Sequence, residues 1–280
     1  MEASLKKEFF DSLTRFGARL DADVLSGTKD LVSQMYPDSL NDDAEKATVL
    51  YGPDQRQEAD VYWSGDVFNG ILLFVPGGGF VSGSRSGYSA IGNHFARRGR
   101  LVFVTDYRLA PEHGWPAGAT DVAAFIAHAI KISGNFGRCA GSVDVVGHSA
   151  GATHLSAAIF DRRFNDKIVD DISRVILISG LYGFPFHGMT ENVRSYLSND
   201  ENTWVDRSPV SHLDRIEFPI SVVASELDPP QFLSSALLLS EAIKRRGKVD
   251  LDVRLLKAHN HISSVITAGT PVDALTSIIG

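Results

Sequence analysis

The sequence predicts an α/β fold in which a parallel sheet carries helices on both faces. Six short apolar runs rich in Val, Ile and Leu alternate with segments that have the spacing of helices. Because nearly continuous apolar runs are typical of strands buried on both faces, they indicate a parallel sheet. Strands that alternate with helices form right-handed βαβ units, which place helices on either side of such a sheet.

The composition fits one globular domain and excludes several classes of protein. The 280 residues are 44% hydrophobic and 22% charged, which is ordinary for a folded chain and argues against wholesale disorder. No run of about 18 apolar residues is present, so the sequence predicts no membrane span. A net charge of −7 argues against nucleic acid and anionic membrane surfaces as partners. We expect a single domain over residues 1–280.

Cysteine content and the start of the chain indicate a compartment. The first residues lack a basic stretch followed by an apolar one, so they do not resemble a secretory signal. The single cysteine, Cys139, allows no intrachain disulfide and no cysteine zinc cluster. The histidines show no metal-ligand spacing. We therefore expect a cytoplasmic protein without a metal site.

Residues 1–43 are expected to form a helical cap that precedes the first strand. A second helix is predicted over 22–35, ending before Pro37, because the residue ahead of a proline disfavours the helical region. In the first helix the apolar residues recur every three or four positions: Phe9, Leu13, Phe16 and Leu20. The cap would either cover a pocket or pair two subunits into a homodimer, and the sequence leaves both open.

The remaining elements follow in regular alternation. The predicted strands are 71–75, 101–104, 143–146, 175–178, 220–224 and 251–256. The predicted helices are 88–98, 119–132, 152–160, 233–246 and 271–279. Residues 183–214 break the rhythm with glycine, proline, aromatic and acidic residues, and we expect them to form a small lid-like insertion. Four of its apolar residues would either line a pocket or hold the lid down: Phe184, Phe186, Met189 and Trp204.

The segment Gly147-His148-Ser149-Ala150-Gly151 carries the strongest chemical signal. It directly follows a buried strand and directly precedes a helix. This is the context of a nucleophile elbow, in which small residues on both sides let the backbone turn sharply and expose a serine hydroxyl. We therefore predict that Ser149 is a nucleophile.

A serine nucleophile needs a base, and the base needs a carboxylate to orient it. With an elbow of this kind the acid and then the histidine follow the serine along the chain, each after a strand. Asp228 follows the strand 220–224 and is the preferred acid, with Glu226 as the alternative. His261 follows the strand 251–256 and is preferred to His259 as the base.

The glycine run Gly77-Gly78-Gly79 follows the strand 71–75 and can supply oxyanion donors. Successive glycines let main-chain N–H groups converge on one point, where Gly78 and Gly79 would join the N–H of Ala150. A phosphate-binding loop is disfavoured because no lysine followed by serine or threonine comes after the glycines. A dinucleotide site is disfavoured because the Gly-x-Gly-x-x-Gly pattern is missing.

Taken together, these segments resemble the α/β-hydrolases, and more closely the hormone-sensitive-lipase-type and kynurenine-formamidase-like esterases. The similarity rests on 76–80, 106–113 and 147–151. It implies a mostly parallel sheet of about eight strands, the triad Ser149, Asp228 and His261, and the oxyanion hole Gly78, Gly79 and Ala150. One position departs from the pattern: Pro76 stands where the family usually has a histidine that orients the loop.

Three functions are compatible with this reading. The first is a carboxylesterase for small esters, which acts through an acyl-enzyme without a cofactor. The second is an amide hydrolase of the arylformamidase type, acting on a substrate such as N-formylkynurenine, since 179–182 and 259–263 resemble that branch. The third is a non-catalytic ligand receptor on the same fold, which the retention of all triad members disfavours. The expected partner is a small-molecule ester or amide substrate.

Overall fold

A computed structural model describes residues 2–37, 44–165, 168, 170–213, 216, 218–247 and 249–280. Their strands form one eight-stranded sheet in the order β1-β2-β4-β3-β5-β6-β7-β8. β1 pairs with β2, and β2 with β4, in antiparallel fashion, and the other pairs are parallel. The strands are β1 (Glu45–Leu50), β2 (Glu58–Trp63), β3 (Val67–Val75), β4 (Arg100–Thr105), β5 (Arg138–His148), β6 (Arg174–Ile178), β7 (Ile220–Leu227) and β8 (Leu251–Asn260).

Helices cover both faces of this sheet. They are α1 (Glu2–Phe16), α2 (Ala22–Met35), α3 (Ser89–Arg97), α4 (Ala117–Ile132), α5 (Ala150–Phe160), α6 (Arg162–Asn165), α7 (Glu191–Leu197), α8 (Pro230–Arg246), α9 (Ser263–Ile266) and α10 (Leu275–Ile279). Successive side chains of a strand point to opposite faces, so Leu73 packs in the core with α4, α5 and α8. Its neighbours Leu72 and Phe74 pack in the second core, with α3, α9 and α10.

The predicted α/β fold with a mostly parallel sheet is confirmed, and each of the six predicted strands is present. β1 and β2 lie outside that set because they pair in antiparallel fashion and have mixed sequences rather than apolar runs. β1 is the edge strand and is largely exposed, whereas β2 lies between β1 and β4 and is largely buried. The last helix is shorter than predicted and begins at Leu275. The carboxylate of Asp273 accepts hydrogen bonds from the N–H groups of Leu275 and Thr276, which starts the helix there.

The insertion, residues 183–213, lies between β6 and β7 and contains α7. Residue 214, and residues 1 and 38–43 of the predicted cap, lie outside the described residues. Within the described part of the chain, no helix is long and apolar enough to cross a bilayer.

A buried ion pair fixes the segment between β4 and α4. The carboxylate of Asp121 is fully buried and accepts from the guanidinium of Arg108 at 2.7 Å and from the main-chain N–H of Arg108 at 2.9 Å. It also accepts from the side-chain amide of Gln57 at 2.7 Å. These bonds tie α4 to the loop that follows β4.

Removing this charge should destabilise the fold. We expect Asp121→Asn to lower the free energy of unfolding by about 2 kcal/mol, less than for a fully buried pair because Arg108 is a quarter exposed. The control is Asp206→Asn, at an exposed carboxylate 2.8 Å from Arg163, which should cost less than about 1 kcal/mol. Urea unfolding measures both changes, and equal losses would contradict the prediction.

Candidate active site

Ser149 occupies a strained turn between β5 and α5. Its backbone has φ 55° and ψ −123°, a region that residues other than glycine rarely adopt. The turn is held on both sides, because the N–H of Ser149 donates to the carbonyl of Ile178 at 2.8 Å and its own carbonyl accepts from Ala152 at 3.0 Å. The side chain therefore stands at the N-terminus of α5, where the helix dipole favours negative charge.

Glycine at position 151 allows the elbow to press against the end of β3. A Cβ atom there would lie 2.2 Å from the carbonyl oxygen of Val75 and 2.3 Å from that of Pro76. Both of these neighbours are main-chain atoms and cannot swing aside. A larger residue would therefore separate Ser149 from the glycine loop.

The structure brings Ser149, His261 and Asp228 into one hydrogen-bonded line. Nε2 of His261 lies 2.8 Å from Oγ of Ser149, and Nδ1 lies 2.7 Å from Oδ1 of Asp228. His261 and Asp228 are buried, whereas Ser149 keeps 7% of its surface exposed. The three residues follow β5, β7 and β8 at the same edge of the sheet, although Ser149 and His261 are 112 positions apart.

Asp228 remains ionised although it is buried. Burial alone would raise the pKa of its carboxyl group, but hydrogen bonds and the charge of His261 outweigh it and hold the pKa below its usual value. Its Oδ2 accepts from the hydroxyl of Ser179 at 2.6 Å and from the N–H of Ser225 at 2.7 Å. The sequence predicted no bond from either serine to the acid: Ser179 begins the segment 179–182 noted above only as a resemblance, and Ser225 lies in no motif.

The two alternatives lie elsewhere. Glu226 is exposed, and its carboxylate accepts from the N–H of Ala258 at 2.7 Å. Nδ1 of His259 lies 3.1 Å from the hydroxyl of Ser263, and burial lowers the pKa of this histidine to about 4. In the described structure Asp228 and His261 are thus the acid and the histidine that lie in line with the serine.

The glycine loop lies directly against the elbow. A Cβ atom on Gly77 would lie 2.8 Å from Cβ of Ser149, so only glycine permits this approach. In the described part of the chain the N–H groups of Gly78, Gly79 and Ala150 have no acceptor within the protein. The loop is instead braced through the carbonyl of Gly78, which accepts from the N–H of Ser82 at 3.0 Å.

The N-terminal helices contact the loop that carries His261. Asn260, next to His261, donates from its side-chain amide to the hydroxyl of Thr28 in α2 at 2.9 Å, and both groups are buried. Phe10 of α1 packs edge-on against the ring of His259 at 5.3 Å. Pairing of subunits through these helices stays a prediction.

Aromatic side chains form walls beside the candidate triad. The ring of Phe232 lies 4.4 Å from that of His261, and Phe80 stacks on Tyr196 of the insertion at 4.4 Å. These rings share one apolar cluster with Ala150 and Phe184. Of the four apolar residues that the sequence left open, Trp204 is a packing residue. It is buried, and its indole N–H donates to the carbonyl of Ser198 at 2.9 Å.

Two cavities elsewhere among the described residues lie away from the candidate triad. In the described part of the chain, no group of three or more His, Cys, Asp or Glu side chains could hold a metal ion. One cavity of about 510 Å³ lies beside the ion pair of Arg100 and Asp144, and another of about 550 Å³ lies between α1 and α2. Neither is lined by a residue of the candidate triad, so the geometry at Ser149 carries the functional argument.

Comparison with known proteins agrees with this geometry. Residues 72–241 match the α/β-hydrolase fold family. The chain belongs to this family. The match includes Ser149 and Asp228, together with the glycine loop, and it ends before His261.

Named relatives of this α/β-hydrolase are esterases. The chain is 41% identical over 204 residues to Esterase LipC of Mycobacterium tuberculosis. The aligned region covers 64% of this chain and 50% of the relative. It is 24% identical over 210 residues to Carboxylesterase NlhH of the same species, which covers 69% of this chain and 64% of the relative. The matched regions span less than two thirds of the length of these relatives.

Solved structures share the fold. Esterase B from Lactobacillus rhamnosis has a TM-score of 0.74 at 16% identity, over 99% of this chain and 93% of that one. An esterase from the bacterial hormone-sensitive lipase family has a TM-score of 0.71 at 20% identity, over 99% and 94% of the two chains. At these identities the likeness concerns the fold alone.

Acidification is expected to destabilise the fold from about pH 6.5 downwards. Burial lowers the pKa of His148 and of His154 to about 3, and that of His259 to about 4, from an ordinary 6.5. Below pH 6.5 the unfolded chain binds protons that the folded one excludes. Each histidine then removes up to about 1.4 kcal/mol of stability per pH unit, until its folded pKa is reached.

Urea unfolding between pH 7.5 and 5.5 measures this loss. In the variant His154→Gln the free energy of unfolding should fall less steeply as the pH is lowered, because one of the buried histidines is missing. The control is His113→Gln, which removes a histidine whose side chain is 41% exposed, so the difference between the two variants isolates the effect of burial. Equal slopes for wild type and His154→Gln would contradict the lowered pKa of His154.

Proposed function

We propose that this α/β-hydrolase cleaves small carboxylic esters through an acyl-enzyme intermediate. The observation that carries the proposal is the line from Ser149 through His261 to Asp228, with contacts of 2.8 and 2.7 Å. Such a line is what a serine needs to become a nucleophile at neutral pH. The esterase names of the relatives support the same reaction class.

The proposed mechanism divides the work among the three side chains. Nε2 of His261 takes the proton of Ser149 as the hydroxyl attacks the ester carbonyl, and it then gives that proton to the leaving alcohol. Asp228 accepts from Nδ1–H, fixes the tautomer and stabilises the imidazolium that forms. Water then attacks the acyl-enzyme by the same route in reverse, which releases the acid and frees Ser149.

The free N–H groups of Gly78, Gly79 and Ala150 are the proposed oxyanion donors. Ala150 follows Ser149 at the N-terminus of α5, and Gly78 and Gly79 follow Gly77, which lies against Ser149. None of the three N–H groups is used within the described structure. Losing one such donor typically costs about a hundredfold or more in rate, so the loop contributes a large share of the proposed catalysis.

The surroundings of the serine favour small, uncharged substrates. Ser149 is 7% exposed, and Phe80, Phe184 and Phe232 form an apolar cluster with Ala150. Walls of this kind bind apolar groups and offer no partner for a charged acyl chain. We therefore propose short-chain or aryl esters as the substrate class.

Two further expectations accompany the proposal. We propose that residues 1–280 act as one domain, with the cap and the insertion 183–214 as parts of it. A cytoplasmic location and a homodimer also stay predictions. Gel filtration measures directly whether the protein is a homodimer.

A substrate series tests the reaction. We expect kcat/KM for nitrophenyl esters to be highest with acetyl or butyryl groups and to fall with longer chains, because Ser149 is only 7% exposed beside the apolar cluster. N-formylkynurenine, assayed on the same preparation, tests the formamidase alternative. A preference for the formamide would contradict the ester proposal. Turnover of neither substrate, with Ser149 unreactive towards a fluorophosphonate, would support the receptor reading.

Variants at the two carboxylates test the acid. Asp228→Asn should lower kcat by roughly ten-thousandfold, because the asparagine no longer holds the imidazole in the reactive tautomer. Glu226→Gln should turn over like the wild type, since among the described residues that side chain is exposed and accepts from the main-chain N–H of Ala258 rather than from His261. Steady-state kinetics measures both. Loss of activity in Glu226→Gln with full activity in Asp228→Asn would move the acid to Glu226.

A further inference from the structure

Two tyrosine hydroxyls hold the peptide that leads into the glycine loop. The hydroxyl of Tyr107 donates to the carbonyl of Pro76 at 2.8 Å, and the N–H of Gly77 donates to the hydroxyl oxygen of Tyr88 at 3.1 Å. This carbonyl and this N–H belong to a single planar peptide. The two bonds therefore set the orientation of the plane from which Gly78 and Gly79 continue.

Tyr88 is connected in turn to the loop of His261. Its hydroxyl lies 3.3 Å from Nδ1 of His148, and Nε2 of His148 lies 2.9 Å from the carbonyl oxygen of His261. A carbonyl only accepts, so Nε2 of His148 carries the hydrogen and Nδ1 of the neutral ring is an acceptor. The hydroxyl of Tyr88 must then donate to Nδ1, and its oxygen is left to accept from Gly77. Each hydrogen bond from Gly77 to His261 thus has one direction. The N–H of Gly77 donates to Tyr88, Tyr88 donates to His148, and His148 donates to the carbonyl of His261.

The side chains of Tyr88 and His148 are both uncharged at neutral pH. Burial, reinforced by the nearby His261, lowers the pKa of His148 to about 3, and burial raises the pKa of Tyr88 to about 12. The rings of His148 and His261 are 5.0 Å apart. A neutral His148 therefore adds no repulsion when His261 takes up the proton of the serine.

We propose that Tyr88 and His148 are positioning residues that couple the oxyanion loop to the loop of the base. The proposal rests on the function proposed above. Neither side chain bonds to the hydroxyl of Ser149, so both act through the groups they hold. Position 76 is a proline, whose ring has no hydrogen-bonding group. The orientation of the loop therefore depends on what its main chain contacts.

The variant Tyr88→Phe tests this coupling. It keeps the ring, which packs 5.2 Å from that of Phe74, and removes only the hydroxyl. We expect kcat to fall about tenfold with KM nearly unchanged, less than the hundredfold or more for a deleted donor, because the donors are misplaced rather than lost. Affinity for a trifluoromethyl ketone, whose oxyanion occupies the same hole, should fall by a similar factor. A purely structural role would not move that affinity.

Tyr51→Phe is the matched control. Like that of Tyr88, the hydroxyl of Tyr51 bonds to the main chain: it donates to the carbonyl of Asp106 at 2.6 Å, which lies outside the glycine loop. This variant should keep the kcat and the ketone affinity of the wild type. Equal effects in Tyr51→Phe and Tyr88→Phe would overturn the proposal.

Variants of His148 test the directions of the hydrogen bonds that connect Tyr88 to His261. In His148→Gln the amide can still donate to the carbonyl of His261 and accept from Tyr88, so most of kcat should remain. His148→Leu can do neither and should lose about as much as Tyr88→Phe. Tyr88→Phe and His148→Leu interrupt the same series of hydrogen bonds. The kcat of the double variant should therefore fall no further than that of the more damaged single variant. Losses that multiply would overturn the coupling.

A labelling experiment separates failure of this inference from failure of the proposed function. Phosphonylation of Ser149 by a fluorophosphonate uses the same oxyanion donors and needs no ester turnover. A wild type that labels but cleaves no ester would refute the ester proposal, and slower labelling of Tyr88→Phe would still support the coupling. Equal labelling rates at equal thermal stability would overturn it. A wild type that does neither would refute both.

Discussion

The strained backbone of Ser149 is the constraint on which the candidate site depends. A positive φ at a serine costs free energy and persists only where the surrounding structure determines it. Here β5 and α5 enter and leave the turn, and the carbonyl of Ile178 accepts the serine N–H. Gly151 then lets the elbow approach the end of β3, so the nucleophile and the glycine loop come from two neighbouring strands of a rigid sheet.

Much of the architecture could be predicted from local sequence. Buried parallel strands are apolar throughout, so their positions and alternation with helices are visible without a structure. The order of serine, acid and histidine, each after a strand, then pointed to Ser149, to Asp228 before Glu226, and to His261 before His259. The structure places these three in contact and leaves Glu226 and His259 bonded elsewhere. Spacing alone could not have made that last distinction.

What local sequence could not predict depends on contacts between distant segments. β1 and β2 are antiparallel strands at one side of the sheet, and their mixed sequences lack the continuous apolar runs of the parallel strands. Ser179 reaches Asp228 only because β6 and β7 are neighbours in the sheet. Thr28 meets Asn260 across 232 positions. An ordinary serine or threonine carries no pattern that reveals such a partner, since its role is set by packing.

The bond between Thr28 and Asn260 also bears on how the chain folds. α1 packs on β8 and α2 bonds to Asn260 at the end of that strand, so Phe9 and Leu13 reach their native contacts only when residues 251–272 have been made. Contacts of such long sequence separation form late, because a large loop must close before they can contribute. During synthesis these apolar side chains are thus exposed while the central strands assemble. The segment that carries the proposed catalytic histidine is thus also the one on which α1 and α2 complete their packing.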